Sequence, residues 1–377
     1  MRAKFLFYFC DGIGSVFDSQ VLELIKAINE KKFFENVFLF LGIKNEKIKE
    51  KFKERNVLSD IEVVYFKSYP NYSLFNIFQR REMKKILNNL QINFNEVIFH
   101  TRGELLAWNL SKIINKKYHK NILPDIRGVS IEEVNEYYKI NFIFKRLKIF
   151  NYKLALKNLN KYNKISVVSN SLKEYLIKNY KVIPNKITIN PSIAGKDFNF
   201  NISKRREIRN ELGINDDDTL LVFSSGGEAN WQNYNILFKL AEKGLKILNL
   251  SKKVINHKNI MNKFVSYAEM PLYLNAADVG IIWRDESVVN KVSSPVKFSE
   301  YICCGLPVIS NYSVDMIREY IASNNCGILL KDLNDLDINM IEKLKQFKRS
   351  EISADGILKF GIEKIVSNYL EIYSSLN

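Results

Sequence analysis

Along the first half of the chain, short apolar runs alternate with longer amphipathic stretches. Lys4 to Cys10, Val37 to Leu41, Ile61 to Phe66, Glu96 to His100 and Ile165 to Ser169 are compact runs of strand-forming side chains and predict strands. Between them the spacing turns helical: from Asp18 to Lys32, Val21, Leu22, Leu24, Ile25 and Ile28 fall on one apolar stripe. Strands alternating with helices predict a parallel sheet covered on both faces. The periodicity breaks over Pro191 to Asn201, where Gly195 and a polar run from Lys196 intervene. A second series follows: strand Leu220 to Ser224, a helix from about Asn233, strand Val279 to Trp283, a helix from Pro295, strand Val308 to Ser310 and a helical segment Ile357 to Leu376. The expected fold class is α/β with two doubly wound parallel-sheet domains facing each other across a cleft. The first is expected over 1-195 and the second over 196-356, with a terminal helix, 357-377, packing back on the first. Ligands of such folds bind beyond the carboxyl ends of the strands, so polar residues just after strands are the candidates for function.

Composition agrees with two domains. A chain of 377 residues exceeds the size at which one core usually keeps growing, and 46% hydrophobic residues recurring from end to end exclude a largely disordered chain. The apolar run Phe5 to Cys10 is too short for a signal-peptide core, and no stretch of about 18 uncharged apolar residues occurs. The expected location is the cytoplasm. Cys10, Cys303, Cys304 and Cys326 lack the spacing of a zinc site or disulfide scaffold, and His100, His119 and His257 are scattered, so no metal or other cofactor is expected. The net charge of +16 implies a field that attracts polyanions, anionic lipid or acidic ligands, or simply a lysine-rich surface.

The densest signal runs from Ser293 through Ser294, Pro295, Val296, Lys297, Phe298, Ser299, Glu300 and Tyr301 to Cys304, Gly305, Leu306 and Pro307. Ser294 suits an N-cap, Pro295 the first helical position and Gly305 the left-handed position past the end. The helix start offers backbone N-H groups and a positive dipole end, and Lys297 adds a charge there. Glu300, three residues on, shares that face, and its two acceptor oxygens suit a vicinal diol such as ribose. A Lys-Glu surface pair on an ordinary capped helix explains the spacing as well.

The same run resembles the nucleotide-binding signature of family 4 glycosyltransferases, where Ser-Pro-x-Lys-x-x-Glu-Tyr is followed by Cys-Gly-x-Pro-Val-Ile. Ala276-Ala277-Asp278-Val279-Gly280-Ile281-Ile282-Trp283 is similar to the strand that precedes it in those enzymes. The resemblance covers the second domain well and the first loosely. It implies the GT-B fold of two Rossmann-like domains and a nucleotide-sugar donor, UDP- or GDP-linked, as substrate. It also implies transfer that retains configuration and needs no metal, in bacterial surface polysaccharide biosynthesis such as lipopolysaccharide or capsule. Glu300 then binds the ribose. A second glutamate common in the family would fall at Val292, leaving Asp285 or Glu286 for the sugar contact. The usual Arg and Lys after the first strand of the second domain are replaced by the run from Ser224 to Asn233. Diphosphate binding is therefore expected from Lys297, Arg284, Ser294 and the backbone of Gly226 and Gly227.

In the first domain, Gly12 and Gly14 sit between a strand and a helix and let backbone approach a ligand, or form a plain turn. His100, Arg102, Asp125 and Arg127 stand at predicted strand exits. The arginines suit charge developing on the leaving diphosphate, and His100 or Asp125 suits orienting an acceptor hydroxyl and taking its proton. The resemblance adds a donor-sugar contact for His100. Glu132 and Glu133 either meet an acceptor or form an acidic first helical turn.

The stretch 139-164 carries eight cations, Lys139, Lys145, Arg146, Lys148, Lys153, Lys157, Lys161 and Lys164, among Phe142, Phe144, Phe150 and Tyr152. It fits an anionic membrane surface on the inner face of the cytoplasmic membrane, or a surface helix packed on its own domain. Expected partners are a nucleotide-sugar and a glycan or polyprenyl-linked oligosaccharide acceptor. A nucleic-acid-binding protein finds no recognised motif here. A nucleotide-sugar epimerase or hydrolase of the same fold stays open. Asp216-Asp217-Asp218, a nominal metal-binding run, precedes a strand and reads as a polar turn.

Overall fold

The computed structural model describes residues 3-72, 75-225 and 233-376. The chain divides into two compact units, Met1–Pro191 with Val366–Asn377, and Ser192–Ile365. The last helix, Ile362–Leu376, thus begins in the second unit and continues in the first.

The first unit holds a parallel sheet of seven strands: β1 (Phe5–Cys10), β2 (Asn36–Ile43), β3 (Glu62–Lys67), β4 (Val97–Arg102), β5 (Ile122–Ile126), β6 (Ile165–Val167) and β7 (Ile187–Ile189). Their order is β3-β2-β1-β4-β5-β6-β7. The chain reverses direction across the sheet between β1 and β4, the switch point at which doubly wound folds bind ligands. Both faces of β1 are buried because alternate side chains meet different layers. Phe7 and Phe9 pack with Phe40 at ring distances of 4.9 and 4.3 Å, while Tyr8 turns the other way and meets His100 at 4.4 Å.

The second unit repeats the plan with six parallel strands: β8 (Leu220–Ser224), β9 (Lys246–Leu250), β10 (Ile260–Asn262), β11 (Val279–Ile282), β12 (Val308–Asn311) and β13 (Gly327–Leu330), in the order β10-β9-β8-β11-β12-β13. Alternation again divides the core. Leu220 and Val222 join Tyr301, Ile302 and Phe298 on one face, and Leu221 and Phe223 join Ile236, Leu240, Ile341 and Leu344 on the other. The switch point lies between β8 and β11. Asp278 fastens that pair: its Oδ2 accepts from the Leu220 N-H at 2.8 Å and its carboxylate pairs with Arg205 and Arg209.

The strands β7, β9, β10 and β13 are absent from the sequence expectations. β7, β10 and β13 are sheet edges with mixed burial, and β9 opens on Lys246 and is interrupted by Asn249, so none shows a clean apolar run. Asp216 to Asp218 form a turn whose carbonyls accept from Arg209, at the amino end of β8 and away from its carboxyl end.

Candidate functional site

In the second unit the signature run becomes a loop from β11 and then the helix Val296–Cys303. The C-terminal stop is built as the residues dictate. Gly305 has φ of 70°, its N-H donates to the Ile302 carbonyl at 2.9 Å, and the Leu306 N-H donates to the Tyr301 carbonyl at 2.9 Å. The N-terminal end differs from expectation. Pro295 precedes the helix at the cap position, and no side chain caps it. Ser294 is used sideways: its hydroxyl accepts from the Ser192 N-H at 2.9 Å and its carbonyl accepts from the Ser192 hydroxyl at 2.6 Å. The Ser299 hydroxyl donates to the Ser192 carbonyl at 2.8 Å. Ser192 therefore pins the helix start in place, and the first turn keeps backbone donors that no intrahelical acceptor can use.

Tyr301 sets the helix against the switch point. Its ring covers Gly280 of β11, where a Cβ would stand 2.4 Å from the ring, and its hydroxyl accepts from the Ser224 N-H at 2.7 Å at the end of β8. Nothing in the signature run itself announces this packing role of Tyr301.

Glu300 is wholly buried, with Oε2 accepting from Lys297 Nζ at 2.7 Å. Its Oε1 is buried and has no hydrogen-bond partner. Burial pushes this carboxyl above the ordinary carboxylate range, and Lys297 draws it partly back. A buried acceptor oxygen without a donor is costly in a native protein and marks a place for a ligand donor. The Lys297 side chain keeps 20% exposure, so its ammonium reaches solvent and stands in the first turn.

Arg284, just past β11, is held by its backbone. Its carbonyl accepts from Asn311 Nδ2 at 2.6 Å and the Ser313 hydroxyl at 2.8 Å, and its Nη1 donates to Asn290 at 3.1 Å. Asp285 and Glu286 are exposed beside it, Asp285 accepting from Asn233 Nδ2 at 3.2 Å, and Val292 is buried. Gly226 and Gly227 lie outside the described residues.

In the first unit, β4 runs two residues further than the pattern predicts. His100 is thereby drawn inside the sheet, opposite Tyr8 and Leu123, instead of standing at an exit. Neither His100 nor Asp125 has any exposure. The terminal helix covers them: His100 Nδ1 lies 2.6 Å from the Tyr373 hydroxyl and its ring 5.0 Å from Tyr369. Asp125 lies 3.7 Å from His100 Nε2 and 3.5 Å from Arg127 Nη1, close enough for charge attraction but beyond hydrogen bonding. Both carboxylate oxygens, His100 Nε2 and the Tyr8 hydroxyl are left without hydrogen-bond partners. Burial pulls the His100 imidazole down against the attraction of Asp125. For Asp125, burial alone would raise the carboxyl, but Arg127, His100 and Arg102 outweigh it and hold it well below the usual range. Arg127 donates to the Asn190 carbonyl at 3.2 Å and Gln20 at 3.3 Å, while Arg102, at the end of β4, is half-buried. The tyrosines at 369 and 373 were missed, although four-residue spacing on a helix announces a shared face.

Gly12 has φ of 107°, and space is open around it and Gly14. The loop they form exposes Ile13 and Val16 and leads into a π-helical turn, Asp18–Leu22, a widening of the helix that recurs at functional sites. Asp11 turns its carboxylate back over Gly42, where a Cβ would meet its Oδ1 at 2.6 Å. Glu132 and Glu133 lie in the first turn of helix Ser130–Tyr137. Glu132 accepts from the Tyr175 hydroxyl, and Glu133 Oε1 occupies the space a Cβ on Gly128 would take. Burial, then Glu104 and Glu132, push the Glu133 carboxyl up to about 7.

Residues 226–355 match the family model described as Glucosyltransferase 3-like, C-terminal domain. No curated protein matches the chain by sequence. Among solved structures, a glycosyltransferase from Rickettsia africae ESF-5 is similar with a TM-score of 0.70 at 16% identity, covering 100% of this chain and 99% of that one. Alr3699/HepE from Anabaena, solved with UDP and glucose, has a TM-score of 0.70 at 12% identity over 99% of this chain and 100% of that one. WaaG, a glycosyltransferase involved in lipopolysaccharide biosynthesis, has a TM-score of 0.59 at 12% identity over 99% and 95%. At such identities the likeness is one of fold. Fold and matched domain together define the class: the chain is a glycosyltransferase of the GT-B fold. The matched stretch, 226–355, lies within its second unit.

Proposed function

We propose that the chain transfers a sugar from a nucleoside diphosphate sugar to a hydroxyl of a glycan or polyprenyl-linked oligosaccharide, in the building of a bacterial surface polysaccharide. The observation that carries this reading is the buried, unpartnered Oε1 of Glu300 one turn from Lys297, at the end of the sheet where doubly wound domains bind ligands. Glu300 takes the ribose hydroxyls. The first turn of helix Val296–Cys303, Lys297 and Arg284 meet the diphosphate, whose charge grows as the bond from the anomeric carbon to the phosphate oxygen breaks. The acceptor oxygen bonds that carbon, and its proton passes to the departing diphosphate. Positive groups in these places perform the charge stabilisation that a metal supplies in other transferases, and retention of configuration follows from the family resemblance. The HepE structure holds UDP and glucose, which favours a uridine donor for this chain. WaaG supports a role at a cell-surface glycan.

In the first unit Arg102, at the end of β4, is the cation we assign to anion binding. His100 and Asp125 are closed off while Arg127 keeps 17% exposure, so the set is assigned the positioning of the loops around it, with proton transfer by His100 or Asp125 requiring the terminal helix to move.

The test is a thermal-shift screen of purified protein against UDP, GDP, CMP and their sugars, followed by product analysis with the best donor. Stabilisation by one nucleotide and a new glycosidic product are expected. Donor hydrolysis or epimerisation without transfer would replace the reading, and indifference to every nucleotide would end it.

A further inference from the structure

Helix Phe142–Lys157 buries only Asn151, Ala155 and Leu156, all in its C-terminal half, where Ala155 packs with Leu105 and Trp108. Its first turn is apolar and exposed, with Phe142 67% exposed, Ile143 65% and Phe144 48%, and Phe150 further along is 54% exposed. Isolated exposed apolar residues are ordinary, but these are contiguous with others. Phe144 touches Tyr72 at a ring distance of 5.1 Å, Tyr72 lies 6.2 Å from Phe75, and Phe75 lies 6.5 Å from Phe78, which meets Tyr69 at 5.9 Å. Ile77 and Phe78 at the start of helix Asn76–Asn89 are each 48% exposed. Tyr69, Phe78, Phe75, Tyr72 and Phe144 thus form one chain of ring contacts between the starts of two helices, with Phe142, Ile143 and Ile77 exposed at those same helix starts.

Cations border it. Helix Phe142–Lys157 carries Lys145, Arg146, Lys148, Lys153 and Lys157, and no Asp or Glu occurs between Lys139 and Lys164. The Arg146 guanidinium lies 5.2 Å from the Phe142 ring, Lys148 Nζ 4.2 Å from the Tyr138 ring and Lys67 Nζ 5.4 Å from the Tyr69 ring. Aromatic rings beside cations, with aliphatic tips projecting, are what the boundary between headgroups and acyl chains accepts. A second copy of the chain would bring five helix cations against five others. A nucleic-acid strand would stack on the rings but gain nothing from Ile77 or Ile143. Among the described residues no helix is long and apolar enough to cross a membrane.

We propose that this face docks the first unit on an anionic lipid bilayer, with Phe142, Ile143, Phe144, Ile77 and Phe78 entering the interface and the lysines and arginine on the headgroups. Docking of this kind is peripheral and reversible, and it weakens with salt.

The experiment is co-sedimentation of the full chain with phosphatidylcholine vesicles and with phosphatidylcholine vesicles containing phosphatidylglycerol. Binding to the anionic vesicles alone, reduced by salt, is expected. Phe142→Ser with Phe144→Ser should weaken it about tenfold or more, and Lys153→Glu about fivefold or more. Phe238→Ser, at a residue 43% exposed in the second unit, should leave it unchanged. Circular dichroism and melting check that each variant folds. The proposal is overturned by equal binding to neutral vesicles, by a serine double variant that still binds, or by binding of nucleic acid in place of vesicles. A lipid-independent dimer that the double variant abolishes would overturn it too.

Discussion

Replacing Glu300 by glutamine keeps its volume and removes its charge, which separates ligand binding from folding. A hydrogen bond to a charged acceptor contributes about 1.5 to 3 kcal/mol, and a ribose diol has two donors to give. One carboxylate oxygen is already shared with Lys297 at 2.7 Å, so the loss is nearer the cost of one full bond and part of another. That is about 2 to 4 kcal/mol, or about 30-fold to 1000-fold in nucleotide affinity. Stability should move differently. Burial raises the Glu300 carboxyl, so the folded chain holds this proton more tightly than the unfolded chain does. Its contribution is fully present at acid pH and is lost as pH rises from the ordinary value of 4.5 through the raised one. Glutamine is free of that loss, and Lys297, with 20% of its side chain exposed, can turn to water when its partner goes. The variant should therefore melt no lower than the parent at neutral pH, with the parent gaining on it as pH falls. Titration calorimetry with UDP and melting curves across that range measure both. A variant with undiminished nucleotide affinity would refute the ribose assignment. A variant that unfolds at neutral pH would show that the carboxylate is a structural element and that its second oxygen serves the fold.

Glu133→Gln should abolish a pH dependence of the parent. The carboxyl is raised from 4.5 to about 7, chiefly by burial and then by Glu104 and Glu132, with Glu136 adding and Lys148 opposing. The parent therefore loses stability relative to the variant as pH rises through that window, by up to about 3 kcal/mol, read from urea unfolding at about pH 5 and about pH 8. Parallel curves at the two pH values would refute the shift. Gly305→Ala meets two obstacles, a backbone at φ of 70° and a Cβ that would stand 2.3 Å from the Arg349 carbonyl oxygen. A loss above about 2 kcal/mol is expected in the same assay, and a change under about 0.5 kcal/mol would mean that this loop shifts freely.

Much of the architecture was legible because helices and central strands repeat a period long enough to detect. β1 and β8 bury alternate side chains on opposite layers, and their apolar runs announce this directly. β7, β10 and β13 were not legible because they are sheet edges with mixed burial, so their apolar runs are weaker than those of the equally short central strands, and β9 opens on Lys246 and is interrupted by Asn249. His100 shows the same limit at a site. A strand end misplaced by two residues, from Arg102 to His100, turns a residue at a ligand-facing exit into one beneath the terminal helix.

Ser294 shows where local rules give way to tertiary structure. Its type and place suit a helix cap, yet a serine oxygen accepts from whichever donor the fold brings to it, and here that is the N-H of Ser192. The exchange has a consequence for binding. A capping hydroxyl would occupy a donor of the first turn, whereas Ser294 anchors the loop and leaves the donors of that turn for an anion. Glu300, in turn, is oriented by Lys297 on one oxygen only. Both departures from the ordinary capped and paired helix act in one direction, since a side-chain hydrogen bond to the first turn and a hydrogen bond to the second Glu300 oxygen are both missing. A helix serving stability alone would gain by making both, so their joint absence at one turn favours a polar ligand over a surface ion pair.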